Sequence, residues 1–306
     1  MLQVVIVGDR NYGKSTFLGL LYATQVRSGS DKMDNLRFHA PFESLQAITL
    51  VYQQLMSGTF PDPVTKQAID EISFELGYRR TRLGIFPLRR SRGWAPGSFS
   101  TIHFTLLRTQ VDAISRLLTA RSAADERLKN IHDIDVVAIM VDSTKLAVKG
   151  ERSAPSPMSK YDDAVESLLS AIQGLRGGGA RQLLAPIFVF SKFDLVKPEV
   201  LRAANAAAVP PGARDSRPRA AYAEALLDRN LPRTLATVRA SEKGRLGFAR
   251  PAYFFSWVRI EGTSPGQPER IRLRRSGVAG WGPDYSGDEC LAFLEYLGGL
   301  AARSGS

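Results

Sequence analysis

The sequence has few residues of the kinds that build disulfides or metal sites. Cys290 is the one cysteine, so no disulfide can form within the chain, as is typical of proteins from a reducing compartment. Because it begins the apolar run 290–294, we expect Cys290 to be a core residue rather than a nucleophile. The histidines, His39, His103 and His132, lack the spacing of metal ligands and predict no zinc site.

Long apolar runs are also missing. No window of about 18 apolar residues occurs, which argues against a membrane-spanning helix. Residues 1–8 do not show a basic start followed by a long apolar stretch, so no secretory signal is predicted. We therefore expect a cytoplasmic protein, whose charge also allows peripheral contact with a membrane.

Acidic residues are fewer than basic ones. The 41 lysines and arginines exceed the 30 acidic residues, which gives a formal charge of +11. Such a surface attracts anions: nucleotides, nucleic acid, acidic proteins or anionic lipid. Arginines cluster at 79–92 among aromatic residues and again at 270–275. The cluster at 79–92 fits a hairpin with a solvated basic face better than a nucleic-acid platform. The cluster at 270–275 leaves the same question open, and net charge alone names no partner.

Short apolar runs alternate with helical patterns along the chain. Runs that suit strands lie at 2–7, 69–76, 101–107, 136–141, 186–190 and 253–255. Helical spacing appears at 17–26, 42–56, 110–129, 160–175, 220–228, 234–241 and 288–302, with loops expected at 27–40 and around Pro210 and Pro218. This alternation predicts an α/β protein with a doubly wound, mostly parallel sheet and helices on both faces.

One segment matches a phosphate-binding loop. Residues 8–15 read GDRNYGKS, which fits G-x-x-x-x-G-K-[ST] at every fixed position, between a predicted strand and a helix. Such a loop aims backbone N–H groups at a phosphate, and the helix N-terminus adds positive potential. Gly8 and Gly13 permit close approach of the backbone, Lys14 reaches the outer phosphates, and Ser15 offers its hydroxyl to Mg²⁺. The motif predicts a nucleoside triphosphate without naming the base.

A second motif bears on the base. Ser191, Lys192, Phe193 and Asp194 directly follow the predicted strand at 186–190. In this position they resemble the guanine motif [NT]-K-x-D of GTPases of the translation-factor and Ras-like class. The resemblance implies that the Asp194 carboxylate accepts hydrogen bonds from guanine N1–H and the exocyclic amine, while Lys192 packs across the base and tethers the phosphate loop. Ser191 departs from the usual Asn or Thr but keeps a hydroxyl.

A third position also follows a strand. Ser256 comes after the run 253–255, where that class has its S-A-K turn, although Trp257 and Val258 replace the other two residues. The resemblance implies a backbone contact from Ser256 to the guanine oxygen; Trp257 either stacks on the base or belongs to the core. The nucleotide-binding residues implied in all are Gly8, Asn11, Tyr12, Gly13, Lys14, Ser15, Thr16, Ser191, Lys192, Asp194, Ser256 and Trp257.

In the same class, a threonine before the second strand completes the Mg²⁺ shell and senses the γ-phosphate. Thr65 is our first candidate and Thr59 the second. The resemblance thus implies Mg²⁺ on Ser15 and Thr65, with Lys14, Thr65 and Arg10 as catalytic residues. Arg10 would act as a built-in arginine finger; a solvent-facing Arg10 is the simpler alternative.

The D-x-x-G motif of that class is absent. It should follow the strand at 101–107, but residues 108–111 read RTQV. The aspartate that holds a Mg²⁺ water and the glycine that senses the γ-phosphate are both missing, so the resemblance does not extend to fast hydrolysis. Asp112 or Asp142 can substitute, and Asp142 can otherwise cap the turn at Ser143 and Thr144.

Together these features predict a single elaborated G domain over 1–306, with added segments at about 27–57, 78–100, 200–250 and 259–285. The resemblance implies a GTP- and GDP-binding protein with Mg²⁺ and slow hydrolysis. It would act as a regulatory switch whose loop at 58–66 is read by a protein effector or regulator. Two alternatives stay open: a P-loop ATPase or nucleotide kinase with Asp142 as its metal aspartate, or a scaffold that binds GTP or GDP without hydrolysis.

Overall fold

A computed structural model describes twelve stretches of the chain. They are residues 2–27, 36–39, 42–61, 71–79, 99–107, 110–119, 133–148, 158–176, 183–240, 247–262, 269–275 and 280–304. Within these stretches, no helix combines the length and the apolar character needed to cross a membrane.

Seven strands form one sheet in the order β2-β3-β4-β1-β5-β6-β7. Their bounds are β1 Leu2–Val7, β2 Leu36–His39, β3 Glu71–Arg79, β4 Phe99–Leu107, β5 Val136–Asp142, β6 Ala185–Ser191 and β7 Ala252–Phe255. The five strands from β4 to β7 in this order pair in parallel, while β2 and β3 extend one edge in antiparallel pairing. The predicted mostly parallel α/β sheet is confirmed.

Helices connect and cover the strands. Their bounds are α1 Lys14–Arg27, α2 Phe42–Met56, α3 Val111–Thr119, α4 Ser159–Arg176, α5 Pro198–Ala203, α6 Ser216–Asn230, α7 Pro232–Ala240 and α8 Gly287–Ser304. Helix α1 packs against α2 and α8, whereas α4 packs against α3 and α7. Every residue of β5 and β6 is buried, and successive side chains of a strand point to opposite faces. Both faces of the central sheet are therefore covered.

Two loop predictions were wrong in part, and one helix was not predicted. Residues 36–39, expected as loop, form β2, which pairs with β3 and ends the sheet as far as the structure describes it. Pro218 lies in α6 rather than in a loop, because it stands in the first turn, where its missing N–H has no intrahelical partner. Helix α5 begins at Pro198, where we predicted no element. The predicted helix at 110–129 is present as α3, and residues 120–129 lie outside the described stretches.

A small antiparallel arm follows β7. It consists of residues 258–261, 270–275 and 281–285 and includes the strands β8 Leu273–Arg275 and β9 Trp281–Pro283. Bridges between Ile260 and Ile271 and between Val258 and Tyr285 join its segments. The arm also reaches the end of α2, since Ile271 N donates to Gly58 O at 2.8 Å. The predicted insertion at 259–285 therefore has its own strands where it is described.

The order of the parallel strands sets where a ligand binds. Taken along the chain, the five strands run 2-1-3-4-5, so the order reverses between β1 and β5. In open α/β sheets, ligands bind outside the carboxyl ends of the strands at such a switch point. Segment 8–15 begins where β1 ends and therefore lies at this position.

Candidate functional site

The loop that leaves β1, predicted to bind phosphate, is a tight turn. Tyr12 N donates to Asp9 O at 3.3 Å, and φ is 66° at Asn11 and 78° at Gly13. Both angles are left-handed, which asparagine tolerates and glycine adopts without a Cβ penalty. A Cβ on Gly8 would lie 2.8 Å from the Met140 Cβ of β5, so only glycine lets the loop start this close to the neighbouring strand.

Lys14 is the first residue of α1 and is buried, with 7% of its surface exposed. Its ammonium donates to Gly8 O at 2.5 Å and to Asp9 O at 2.8 Å, so the side chain folds back along the loop. Burial lowers the pKa of Lys14 to about 8, and the Asp9 charge opposes that fall. A desolvated cation held at a helix N-terminus fits an anionic ligand.

The other loop residues differ in what they present. The Tyr12 ring is buried against Tyr161, at 4.7 Å between centroids, so only the backbone of Tyr12 is available to a ligand. Arg10 is exposed at the tip of the loop. Ser15 and Thr16 lie half-buried in the first turn of α1, where the backbone N–H groups of a helix have no intrahelical partner.

The base motif meets the phosphate loop. Ser191 ends β6 and is buried, and a Cβ placed on Gly13 would lie 3.5 Å from the Ser191 Cβ. The turn after β7 joins the same place: Ser256 N donates to Phe190 O at 2.7 Å, and Phe193 N donates to Ser256 O at 3.1 Å. The ends of β1, β6 and β7 thus bring three segments that are far apart in sequence into one site.

Lys192 has a left-handed backbone, with φ 52°, and its ammonium lies 2.7 Å from Asp142 Oδ2. The other carboxylate oxygen of Asp142 accepts hydrogen bonds from the backbone and the hydroxyl of Thr144, at 3.1 and 2.7 Å. Asp142 therefore caps the turn at residues 143–145 through Oδ1 and holds Lys192 through Oδ2.

Asp194, Trp257 and Arg259 lie around the far end of the site. Asp194 is exposed in a short 3₁₀ turn at 193–195, and Trp257 is half-buried with the Arg259 guanidinium 5.3 Å from its ring. Partial desolvation raises the pKa of the Asp194 carboxyl, while its own backbone N–H and the Arg259 charge act in the opposite direction. Sequence reasoning missed Arg259, because no motif marks an arginine two residues beyond the turn.

A buried ion pair supports the turn at Ser256 from behind. Arg219 of α6 contacts Glu289 of α8 and also donates to Tyr253 O at 2.7 Å. Glu289 Oε2 in turn accepts the Phe255 N–H at 3.0 Å. The pair therefore holds the Tyr253 carbonyl and the Phe255 N–H of β7 in place, and these fix the position of Ser256, the next residue.

The predicted switch loop is described only at its start. Thr65 lies outside the described residues. Thr59, the second candidate, is exposed; it pairs with Arg270 of the arm, and its hydroxyl donates to Gln54 O at 3.0 Å, at the end of α2. Asp112 is exposed on α3 and pairs with Arg116 at 2.6 Å. Across the described stretches, no cluster of three or more His, Cys, Asp and Glu residues suits a metal ion.

Sequence reasoning also missed the role of Asp9. Its Oδ1 accepts the backbone N–H of Val111 at 3.2 Å, which ties the phosphate loop to the first residue of α3. The x positions of the loop motif carry no residue preference, so only the sheet order, which places β4 beside β1, reveals this contact.

No family model and no curated protein sequence matches the chain. Among solved structures, the Ski7 GTPase-like domain of S. cerevisiae bound to GDP and inorganic phosphate is 13% identical with a TM-score of 0.36, over 82% of this chain and 43% of that one. Its GTP-bound form is 14% identical with a TM-score of 0.33, over 82% and 42% of the two chains. The signal recognition particle receptor SRb-GTP/SRX complex of Chaetomium thermophilum is 13% identical with a TM-score of 0.42, over 87% and 94%. The chain spans less than half of either Ski7 chain.

Proposed function

We propose that this chain binds a guanine nucleotide, with the phosphates in segment 8–15 and the base at Asp194. One observation carries the proposal: Gly13 of the phosphate loop lies against Ser191, three residues before Asp194, at the switch point of the sheet. A single nucleotide placed along this edge meets the loop amides at one end and the carboxylate at the other. A carboxylate accepts from the two donors on the Watson–Crick edge of guanine, whereas adenine has no such donor pair.

The phosphate end is suited to a charged ligand. Lys14 is buried and its pKa is lowered, so a bound anion would stabilise its charged form in place of the lost hydration. The loop N–H groups and the N-terminus of α1 add potential of the same sign. We propose that Ser15 and Thr65 hold Mg²⁺ together with the phosphates, and the hydroxyl of Ser15 is a suitable hard oxygen ligand.

We propose that the chain hydrolyses GTP slowly. Residues 108–111 lack the aspartate and glycine of D-x-x-G, and Asp142 is engaged by Lys192 and Thr144. Catalysis would then rest on positioning of the phosphates by the loop and Lys14, with Arg10 exposed near them. Single-turnover hydrolysis of GTP by the wild type and Lys14→Ala separates a slow GTPase from a nucleotide-binding scaffold: phosphate release no faster than in the variant leaves only binding.

The base assignment is tested by competition. A fluorescent GDP analogue bound to the protein is displaced by unlabelled GDP or ADP, with Mg²⁺ present throughout. We expect GDP to compete at least about a hundredfold more strongly than ADP, because adenine leaves the Asp194 carboxylate unpaired. Equal competition, or a preference for ADP, would reject the assignment of guanine as the base and favour an ATPase or nucleotide kinase.

Domain organisation and partners follow from the same proposal. We propose one elaborated G domain over 1–306 that works in the cytoplasm or at a membrane surface as a switch. Its protein effector or regulator would bind the loop that begins at Gly58. Its basic surface would bind an anionic lipid, an acidic protein or nucleic acid. The arm supports part of this proposal, because Arg259, Arg270 and Arg272 are exposed on it and it holds the start of that loop.

A further inference from the structure

We infer that Asp9 determines how strongly the site prefers a nucleoside diphosphate to a triphosphate, through its contact with α3. This inference rests on the proposed function, since it concerns the phosphates bound by segment 8–15. It adds a specificity-determining residue that no motif in the sequence identifies.

Asp9 contacts both the phosphate loop and helix α3. Its backbone oxygen accepts the Lys14 ammonium at 2.8 Å, and its carboxylate accepts the Val111 N–H at 3.2 Å. Val111 is fully buried and begins α3, so the carboxylate supplies the negative group that a helix N-terminus favours. A residue of the phosphate loop therefore caps a helix that comes about a hundred residues later in the chain.

The charge of Asp9 acts within the loop itself. Burial raises the pKa of the Tyr12 hydroxyl and the Asp9 charge adds to that rise, while for Lys14 the same charge opposes the fall caused by burial. An additional anion at the outer end of the loop is therefore repelled by Asp9. The additional anion also competes with the Asp9 carboxylate for the backbone N–H donors at the start of α3.

A triphosphate brings one more phosphate into this field than a diphosphate does. At an effective dielectric constant near 20, one like charge at several ångströms shifts an equilibrium by about tenfold or more. The carboxylate consequently weakens triphosphate binding relative to diphosphate binding, and a bound triphosphate weakens the bond between Asp9 and Val111. The site would then report its third phosphate through the first turn of α3.

The test compares affinities for GDP and a non-hydrolysable GTP analogue at saturating Mg²⁺ in the wild type, Asp9→Asn and Asp228→Asn. Asparagine at position 9 keeps an acceptor for Val111 and removes the charge. Asp228 is exposed on α6 and lies 3.9 Å from Arg239, so its variant is a control for the loss of one negative charge. We expect the ratio of triphosphate to diphosphate affinity to rise about tenfold in Asp9→Asn and to stay unchanged in Asp228→Asn.

A second measurement uses the unmodified protein. Hydrogen exchange of the amides at 111–114 should be faster with the triphosphate analogue than with GDP, since the cap on α3 is weakened. An unchanged affinity ratio in Asp9→Asn, or equal exchange with both nucleotides, would overturn the inference. The same ratios measured with ADP and an ATP analogue keep this outcome separate from the base assignment. Failure of the wild type to bind any of the four nucleotides would instead overturn the proposed function, and this inference with it.

Discussion

The Lys192 ammonium lies 2.7 Å from Asp142 Oδ2. Asp142 ends β5 in register with Ser191, the last residue of β6, and Lys192 directly follows Ser191. Asp142 is 1% exposed, so its charge has little contact with water. The resemblance to GTPases implied that Lys192 tethers the phosphate loop. In the structure its ammonium contacts this carboxylate, and the contact holds the start of the turn that contains Asp194.

The pair should show a measurable coupling energy. Lys192→Met keeps the stem and leaves Asp142 buried without its cation, and Asp142→Asn removes the charge but keeps an acceptor for Thr144. We expect each single variant to lower the free energy of unfolding, and the double variant to lose about 1–2 kcal/mol less than the sum. Urea unfolding of the four proteins measures this, and strict additivity would show that the pair contributes nothing.

Close packing at the start of the phosphate loop predicts opposite effects of one substitution at two glycines. Gly8→Ala places a Cβ 2.8 Å from the Met140 Cβ, so we expect a loss of about 1–3 kcal/mol in unfolding free energy. Gly174→Ala, in the exposed part of α4 with no atom within 4 Å of the added Cβ, should gain about 0.5–1 kcal/mol. Thermal unfolding of both variants checks the pair, and a neutral Gly8→Ala would contradict the close approach.

The lowered pKa of Lys14 predicts a pH dependence of nucleotide binding. Free protein loses the Lys14 proton above about pH 8, whereas a bound phosphate favours the charged form and raises that pKa. Binding above this pH must take up a proton, so the affinity for GDP should fall by up to about tenfold per pH unit. Calorimetric titrations between about pH 7 and pH 9 measure the slope. Lys14→Arg stays charged and should lose this dependence, whereas a flat wild-type profile would contradict the assignment.

Two roles were left open for Trp257, and fluorescence distinguishes them. The ring is half-buried beside Arg259 at the same end of the site as Asp194, which favours contact with the base. We expect GDP to change the tryptophan emission of the wild type and of Trp281→Phe, but not of Trp257→Phe. Trp281 is 62% exposed on the arm and serves as the control. An equal change in Trp257→Phe would show that Trp257 does not contact the base.

The sequence predicted the elements whose patterns are long or buried. The apolar runs of β1, β5 and β6 follow from burial on both faces, and the limits of α2 follow from its periodicity and from the glycine beyond its end. Strand β2 has four residues and one partner, so its formation depends on β3, which no local pattern announces. Pro218 misled the prediction for α6, because proline has a different effect in a first turn than within a helix.

In the site too, local patterns were predictable and contacts between distant residues were not. Motifs gave the phosphate loop and the turn at 191–194, because their chemistry requires fixed residue types at fixed spacing. The contacts of Asp9 with Val111 and of Arg219 with Glu289 join residues that are distant in sequence. They depend on the order of the strands and on helix packing, which sequence spacing does not encode.

The central claim is that one carboxylate chooses the base, and Asp194→Asn tests it most directly. Asparagine offers an amide N–H where the carboxylate offered an acceptor, and xanthine has a carbonyl where guanine has its exocyclic amine. We predict that Asp194→Asn loses at least about a hundredfold in GDP affinity and gains binding of xanthosine diphosphate, with unfolding unchanged because Asp194 is exposed. A variant that binds GDP as tightly as the wild type, with no new affinity for xanthosine diphosphate, would contradict the account.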